Sequence, residues 1–581
     1  MKIARLRRHF SAYALFLVVL AFLCAFLIWP IVLTVNGGFR TPAGELTGAY
    51  LIGLADDPLV IEGLANSLLI AACVTTLCLL ITLPLALLAT RYDFPGKALL
   101  TASLLIPLIL PPFVGAIGLR ALLGRFGAVN ALLGWTGLVD ANRPGVDFLG
   151  GGFWSVVVME ALHLYPILYL NVAAALANVD PALDEAAVGL GAGRWRRFAR
   201  ITMPLIIPGL FAGSTIVFIW SFTELGTPLM FDYTTVTPVQ IFWGVMEAEH
   251  DPRPYALVVV MLTVAVALYL LGRMVFGGRA YEMKSKASIA AGTRRLRGVR
   301  GWASSSLFVA VTGLAVVPHF GVVVNSFAVG GTWYRSILPR RWTLGNYEDA
   351  LGHPLAMDSI ANSMLYASLA MVVCLCLGFS ISYLVVRVRI RGAAFLDGLA
   401  MLPLAVPGLV MAFGYVAMTL SWPFGTDGPW RHLASVVGPQ PNPVGLLVIA
   451  YAVRRLPYVV RAATAGLQQT SVELEEAALN LGASRVATIR RIAVPLIMAN
   501  LIAGAILAFS FSMLEVSDSL ILAQKQQHFP ITKAIYELFG RLGDGPYIAS
   551  AMGVWAMALL AVTLVGAAVL MGRKLGVMFR I

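Results

Sequence analysis

A chain of 581 residues that is 59% hydrophobic and only 12% charged leaves too few polar side chains to cover a soluble globular surface. Its net charge of +13 invites a nucleic-acid reading, but the basic residues fall in short segments between apolar runs, which excludes nucleic acid as the partner. Twelve apolar stretches are long enough to cross a bilayer as helices: near 11–35, 65–90, 98–122, 152–178, 204–226, 254–275, 303–328, 362–386, 395–420, 443–466, 495–522 and 547–571. They predict an all-α polytopic membrane protein with unbroken helices, because lipid offers backbone N–H and C=O groups no other partner. None alternates with the period of two that a β-barrel requires.

Taken in chain order, Lys2, Arg5, Arg7 and Arg8 place the N-terminus in the cytoplasm. Twelve crossings then leave both termini and most of the Lys and Arg inside. The first run lacks a small-residue cleavage site and reads as an uncleaved anchor. Cys24, Cys73, Cys78, Cys374 and Cys376 all lie in predicted spans and show no disulfide or zinc spacing, so they read as core residues.

The chain repeats itself. Asn66-Ser67, Arg91, Gly96, Pro107 and Pro111 return 296 residues later as Asn362-Ser363, Arg387, Gly392, Pro403 and Pro407. From Pro166 and Pro457 onward the offset is 291, and Pro30 pairs with Pro318 in the first span of each half. Residues 1–276 and 303–581 are therefore parallel six-span repeats, related by an axis along the membrane normal. Residues 277–302, with Lys284, Lys286, Arg294, Arg295, Arg297 and Arg300, read as a cytoplasmic linker, open to lipid headgroups. The longer outer segments predict short helices lying along the outer surface.

Two basic loops, 180–204 and 471–495, carry the most specific pattern. Glu185, Ala186, Ala187, Gly191, Ile201 and Pro204 match Glu476, Ala477, Ala478, Gly482, Ile492 and Pro495 in identical spacing. Each loop predicts a short helix led by carboxylates, which the positive end of a helix favours. Gly191 and Gly482 then permit a turn with positive φ. A basic helix follows, and Pro204 and Pro495 sit where the next span should begin. The pattern resembles the EAA signature of permease subunits of binding-protein-dependent ABC importers, with Met203 and Val494 where that family usually has Leu. Two copies imply a fused pair of type I importer permeases. The resemblance implies that each knob is a coupling helix seated on one of two ATPase subunits. It also implies an extracytoplasmic solute-binding protein and a bacterial inner-membrane location. No G-x-x-x-x-G-K-[ST] occurs, so the chain is expected to be no enzyme and to bind no cofactor or metal; ATP and Mg belong to the partner subunits.

Ionisable groups inside spans usually face a bundle interior. Glu160, Glu224, Asp397, Glu515 and Asp518 are such groups. Glu224 and Glu515 each follow the EAA proline by twenty residues, about 30 Å of helix, which predicts a place near the outer mouth. They read equally as pathway residues and as structural acids bonded to the neighbouring repeat. Arg454 and Arg455 lie mid-span, as neutralising partners for Glu515, Asp518 or Glu160, or as the lining of an anion route. Pro107, Pro111, Pro403 and Pro407 predict kinked third spans, a candidate gate or a static packing feature. Glu224-Leu225-Gly226-Thr227-Pro228 resembles a stretch of ferric iron permeases, whose relatives handle thiamine, 2-aminoethylphosphonate, polyamines and hexose phosphates. Carboxylates favour a cation, iron(III) first; the arginines favour a phosphorylated or phosphonate solute. An ion-coupled secondary transporter also has six-plus-six repeats, but leaves the EAA loops unexplained.

Overall fold

The computed structural model describes residues 2–41, 43–140, 143–276, 294–425, 427–438 and 440–571. Lys284 and Lys286 of the linker fall outside these. Among the described residues nine helices are long and apolar enough to cross a membrane. Two more spans pass as bent pairs: Ala393–Leu404 with Gly408–Leu420, at 103°, and Arg485–Leu496 with Met498–Met513, at 76°. The remaining predicted stretch is the 26-residue helix Val444–Gln469, about 39 Å long at 1.5 Å per residue. Its three arginines, Arg454, Arg455 and Arg461, lower its apolarity below that of its neighbours.

Unbroken helices prove the wrong expectation for three spans. The third divides into Lys97–Ser103, Ile106–Ile109 and Pro112–Leu123; the ninth and eleventh are the two bent pairs. Proline explains the break before Pro112–Leu123, since Pro111 has no N–H to donate to the Pro107 carbonyl four residues back. The His163 ring supplies it instead, Nδ1 standing 2.8 Å from that oxygen. Pro30 frees the carbonyl of Phe26 in the same way, and the Tyr415 hydroxyl donates to it at 2.7 Å. Broken backbone survives here because side chains from other spans refill the vacant bonds.

In each half the second, fourth and fifth spans pack together, while the first span packs on the third span of the opposite half. Glycine makes that exchange possible. A Cβ on Gly414 would stand 2.8 Å from the Pro30 carbonyl oxygen, and one on the equivalent Gly118 would overlap Pro318. The linker end is tied to the first half, Arg294–Arg295 pairing in parallel with Tyr92–Asp93.

The EAA loops fold as helix, turn and helix: Pro181–Gly189 and Glu473–Asn480 lead into turns where Gly191 and Gly482 take φ of 77° and 90°. The basic helix and the fifth span are one continuous helix, Arg194–Phe222, so the span starts earlier than predicted and Pro204 lies inside it. Pro495 is likewise inside Arg485–Leu496. Each proline closely follows a π-helical turn, Phe198–Thr202 or Ile489–Ala493, whose wider winding relieves the ring's clash with preceding carbonyls. The outer helices also need correction. Ala49–Ala55, Ala128–Trp135 and Gly345–Gly352 are largely superficial, but Gly226–Met230 is fully buried, and Ser517–Leu522, predicted as the end of the eleventh span, is a separate buried helix.

Candidate functional site

At one end of the bundle the two knobs present matching surfaces. Glu185, Ala186, Glu476 and Ala477 are exposed, whereas Ala187 is buried and Ala478 half-buried against the rest of the knob. Each tip also bares a large apolar side chain, Leu190 at 89% and Leu481 at 90% exposure, and Trp195 and Val486 repeat this one turn beyond. Large apolar side chains thus stand bare to solvent in a polar loop of each half. The sequence held this signal in the shared Leu-Gly of both motifs.

Between the halves lies a cavity of about 280 Å3. Its wall carries Glu160, His163, Glu224, Arg454, Arg455 and Glu515, together with Pro111, Pro403 and Pro407 of the broken third and ninth spans. The lining runs along the fourth span from Glu160 to Asn171, toward the EAA end. Pro107 meets the site through its carbonyl contact with His163. Asp397 is half-exposed and lies outside it.

The charges divide unevenly. In the second half Arg454 Nη1 is 2.9 Å from Glu515 Oε1 and 3.6 Å from Asp518 Oδ2, while Arg455 donates to the other oxygen of Glu515. Asp518 sits behind the wall, lining a small void with Tyr415 and Arg454. Among the described residues Glu160 takes no arginine; Ser221 donates to its Oε2, and Oε1 is buried without a partner. Glu224 accepts longer bonds from Thr227, 3.3 Å from the amide and 3.4 Å from the hydroxyl, and is also approached by the Gly226 amide. Repeat equivalence accounts for the difference, since His163 and Leu164 stand where the second half has Arg454 and Arg455. Among the described residues no three His, Cys, Asp or Glu side chains gather as a metal cage.

Glu224 and Glu515 therefore lie inside, beneath a roof, instead of near an open outer mouth. The short helices after them close over the cavity, and Val516 of one half touches Gly226 of the other. Further out, Lys533 is buried with its Nζ 5.5 Å from the ring centres of Phe242, Phe529 and Tyr536 and 3.0 Å from Glu537. Phe242 belongs to the first half and the others to the second, so this cage joins the halves beyond the cavity. Read from sequence alone, Lys533 is one more polar residue of an outer loop.

The model of the binding-protein-dependent transport system inner membrane component matches this chain twice, over residues 82–277 and 374–570. The chain belongs to this family. It is a fused ABC importer permease, a multi-pass inner-membrane protein and a non-enzymatic subunit of a system with an ATPase and a binding protein. It is 28% identical over 500 residues to the ferric transport system permease protein FbpB of Actinobacillus pleuropneumoniae, covering 84% of this chain and 68% of that one. The Fe(3+)-transport system permease protein FbpB 2 of Haemophilus influenzae is 24% identical over 477 residues, 80% of this chain and 82% of that protein. Over 172 residues, 29% of this chain, the permease is 36% identical to the molybdenum transport system permease protein ModB of Escherichia coli, covering 71% of ModB.

Proposed function

We propose that this permease forms the pathway for iron(III) and couples it to two ATPase subunits through the knobs at Gly191 and Gly482. The observation that carries the cargo assignment is the wall of the cavity. Among the described residues Glu160 and Glu224 face it without an arginine in contact, while Arg454 and Arg455 are engaged by Glu515 and Asp518. A cation meets two carboxylates there, while Arg461, further along the same wall toward the EAA end, is exposed beside Met401 and keeps an anion as the competing cargo. Likeness to ferric permeases over at least four-fifths of this chain supports the same class.

The tips bare the apolar side chains that would seat in an ATPase cleft, and ATP, with Mg, is used in those partner subunits. The proline breaks, with Gly226 and Val516, act as the gate. Alternating access is then a rocking of one half against the other about the cavity.

The test is ATP hydrolysis by the assembled importer in lipid nanodiscs. The cognate binding protein is loaded in turn with iron(III), 2-aminoethylphosphonate, thiamine and a hexose phosphate. Stimulation by the iron-loaded protein alone is expected. Stimulation by a phosphorylated or phosphonate load would reverse the assignment and point to Arg454.

A further inference from the structure

The two knobs share a motif but are fastened differently. Arg387, at the end of the eighth span Pro354–Val388, is the repeat counterpart of Arg91. Its Nε donates to Glu475 Oε1 at 2.8 Å, and its Nη2 donates to the carbonyl and hydroxyl oxygens of Thr470 at 3.0 and 2.7 Å. Tyr383, one turn earlier, donates to the second oxygen of Glu475 at 3.1 Å. Arg387 and Glu475 are only 6% and 7% exposed. This is a buried ion pair whose carboxylate oxygens are both filled, the arrangement in which such a pair holds rigidly.

The first half lacks every supporting partner. Leu87 stands for Tyr383 and Val179 for Thr470, and Arg91 donates instead to Thr202 Oγ1 at 2.5 Å. Asp184, the counterpart of Glu475, pairs with Arg197 at 2.7 Å, within the knob itself and partly exposed. The second half has no means to copy that arrangement, since it carries Thr488 for Arg197 and Ala493 for Thr202. The substitutions are reciprocal.

We propose that Arg387 and Glu475 are positioning residues that lock the second knob to the eighth span, making the two knobs mechanically unequal. The inference rests on the coupling role given to the knobs above. A push on the first knob passes into the helix that follows it, Arg194–Phe222. A push on the second passes also into the eighth span, which packs along the tenth and so reaches Arg454 and Arg455 on the cavity wall.

The complete importer, with ATPase and binding protein in proteoliposomes, supplies the test through the ratio of binding-protein-stimulated to basal ATP hydrolysis. Arg387→Met and Glu475→Gln are expected to lower this ratio at least about fivefold, the range of a typical coupling energy. Arg91→Met leaves it within about twofold, as a singly bonded contact should. Wild-type stimulation in Arg387→Met, or equal damage from Arg91→Met, overturns the proposal. Where Arg387→Met fails to reach the membrane, Tyr383→Phe with Thr470→Val decides, because it spares the ion pair; an unchanged ratio there is also fatal. If Gly482→Pro at the knob tip leaves stimulation intact as well, the coupling role itself has failed, a separate outcome.

Discussion

Gly226 and Val516 meet across the boundary between the halves, so closely that a Cβ on the glycine would stand 2.8 Å from the valine Cγ1. Each follows an intramembrane glutamate by one or two residues, so this contact roofs the cavity where Glu224 and Glu515 look in. Gly226→Val should wedge the roof, at an overpacking cost of ~1–3 kcal/mol. Uptake by proteoliposomes is expected to fall about tenfold or more, each 1.4 kcal/mol being a factor of ten. Adding Val516→Ala should recover much of the loss, and failure to do so would show that the two residues do not act as a pair.

Removing Arg455 leaves Glu515, 3% exposed, with Arg454 as its remaining cation. Arg455→Met is expected to destabilise the permease by ~3–5 kcal/mol, because the loss of one partner leaves a buried charge poorly compensated. Arg455→Met with Glu515→Gln should be markedly milder. Thermal unfolding in nanodiscs distinguishes the two, and equal melting of single and double variants would contradict the pairing.

Gly191 holds φ at 77°, which proline cannot adopt. Gly191→Pro and Glu476→Lys are both expected to lower binding-protein-stimulated ATP hydrolysis about tenfold or more while membrane yield is kept, an effect on coupling and not on folding. Wild-type transport in both would remove the knobs from the coupling pathway.

Lys533→Met keeps the volume of the outer cage and deletes its charge. A desolvated cation over aromatic rings contributes about 2 kcal/mol, so the closed outer face should lose population. A cysteine placed at Val239, which is fully buried, is the reporter. Its labelling by a membrane-impermeant maleimide should accelerate at least about tenfold in the Lys533→Met background. An unchanged labelling rate would mean that the cage does not hold the face shut.

Much of this permease was legible without coordinates. Spans are read from length and apolarity alone, and the duplicated EAA segments need only local backbone: carboxylates before a helix, a glycine at positive φ, and a basic helix after it. What the sequence left open were relations between residues far apart in the chain. Nothing local to Pro111 says that His163 will take up the Pro107 carbonyl it orphans, or that Tyr415 will do so for Phe26. Arg454 and Arg455 were offered three carboxylates, and only packing of the tenth span beside the eleventh assigned them to Glu515 and Asp518, leaving Glu160 to Ser221. The same holds for Lys533, an outer-loop charge until Phe242 of the opposite half closes over it. Apolarity and turn chemistry act over a few residues and are written in order along the chain. Neutralisation of buried charge and replacement of lost backbone bonds act through space in a medium without water, and the tertiary fold alone decides which partners come within reach.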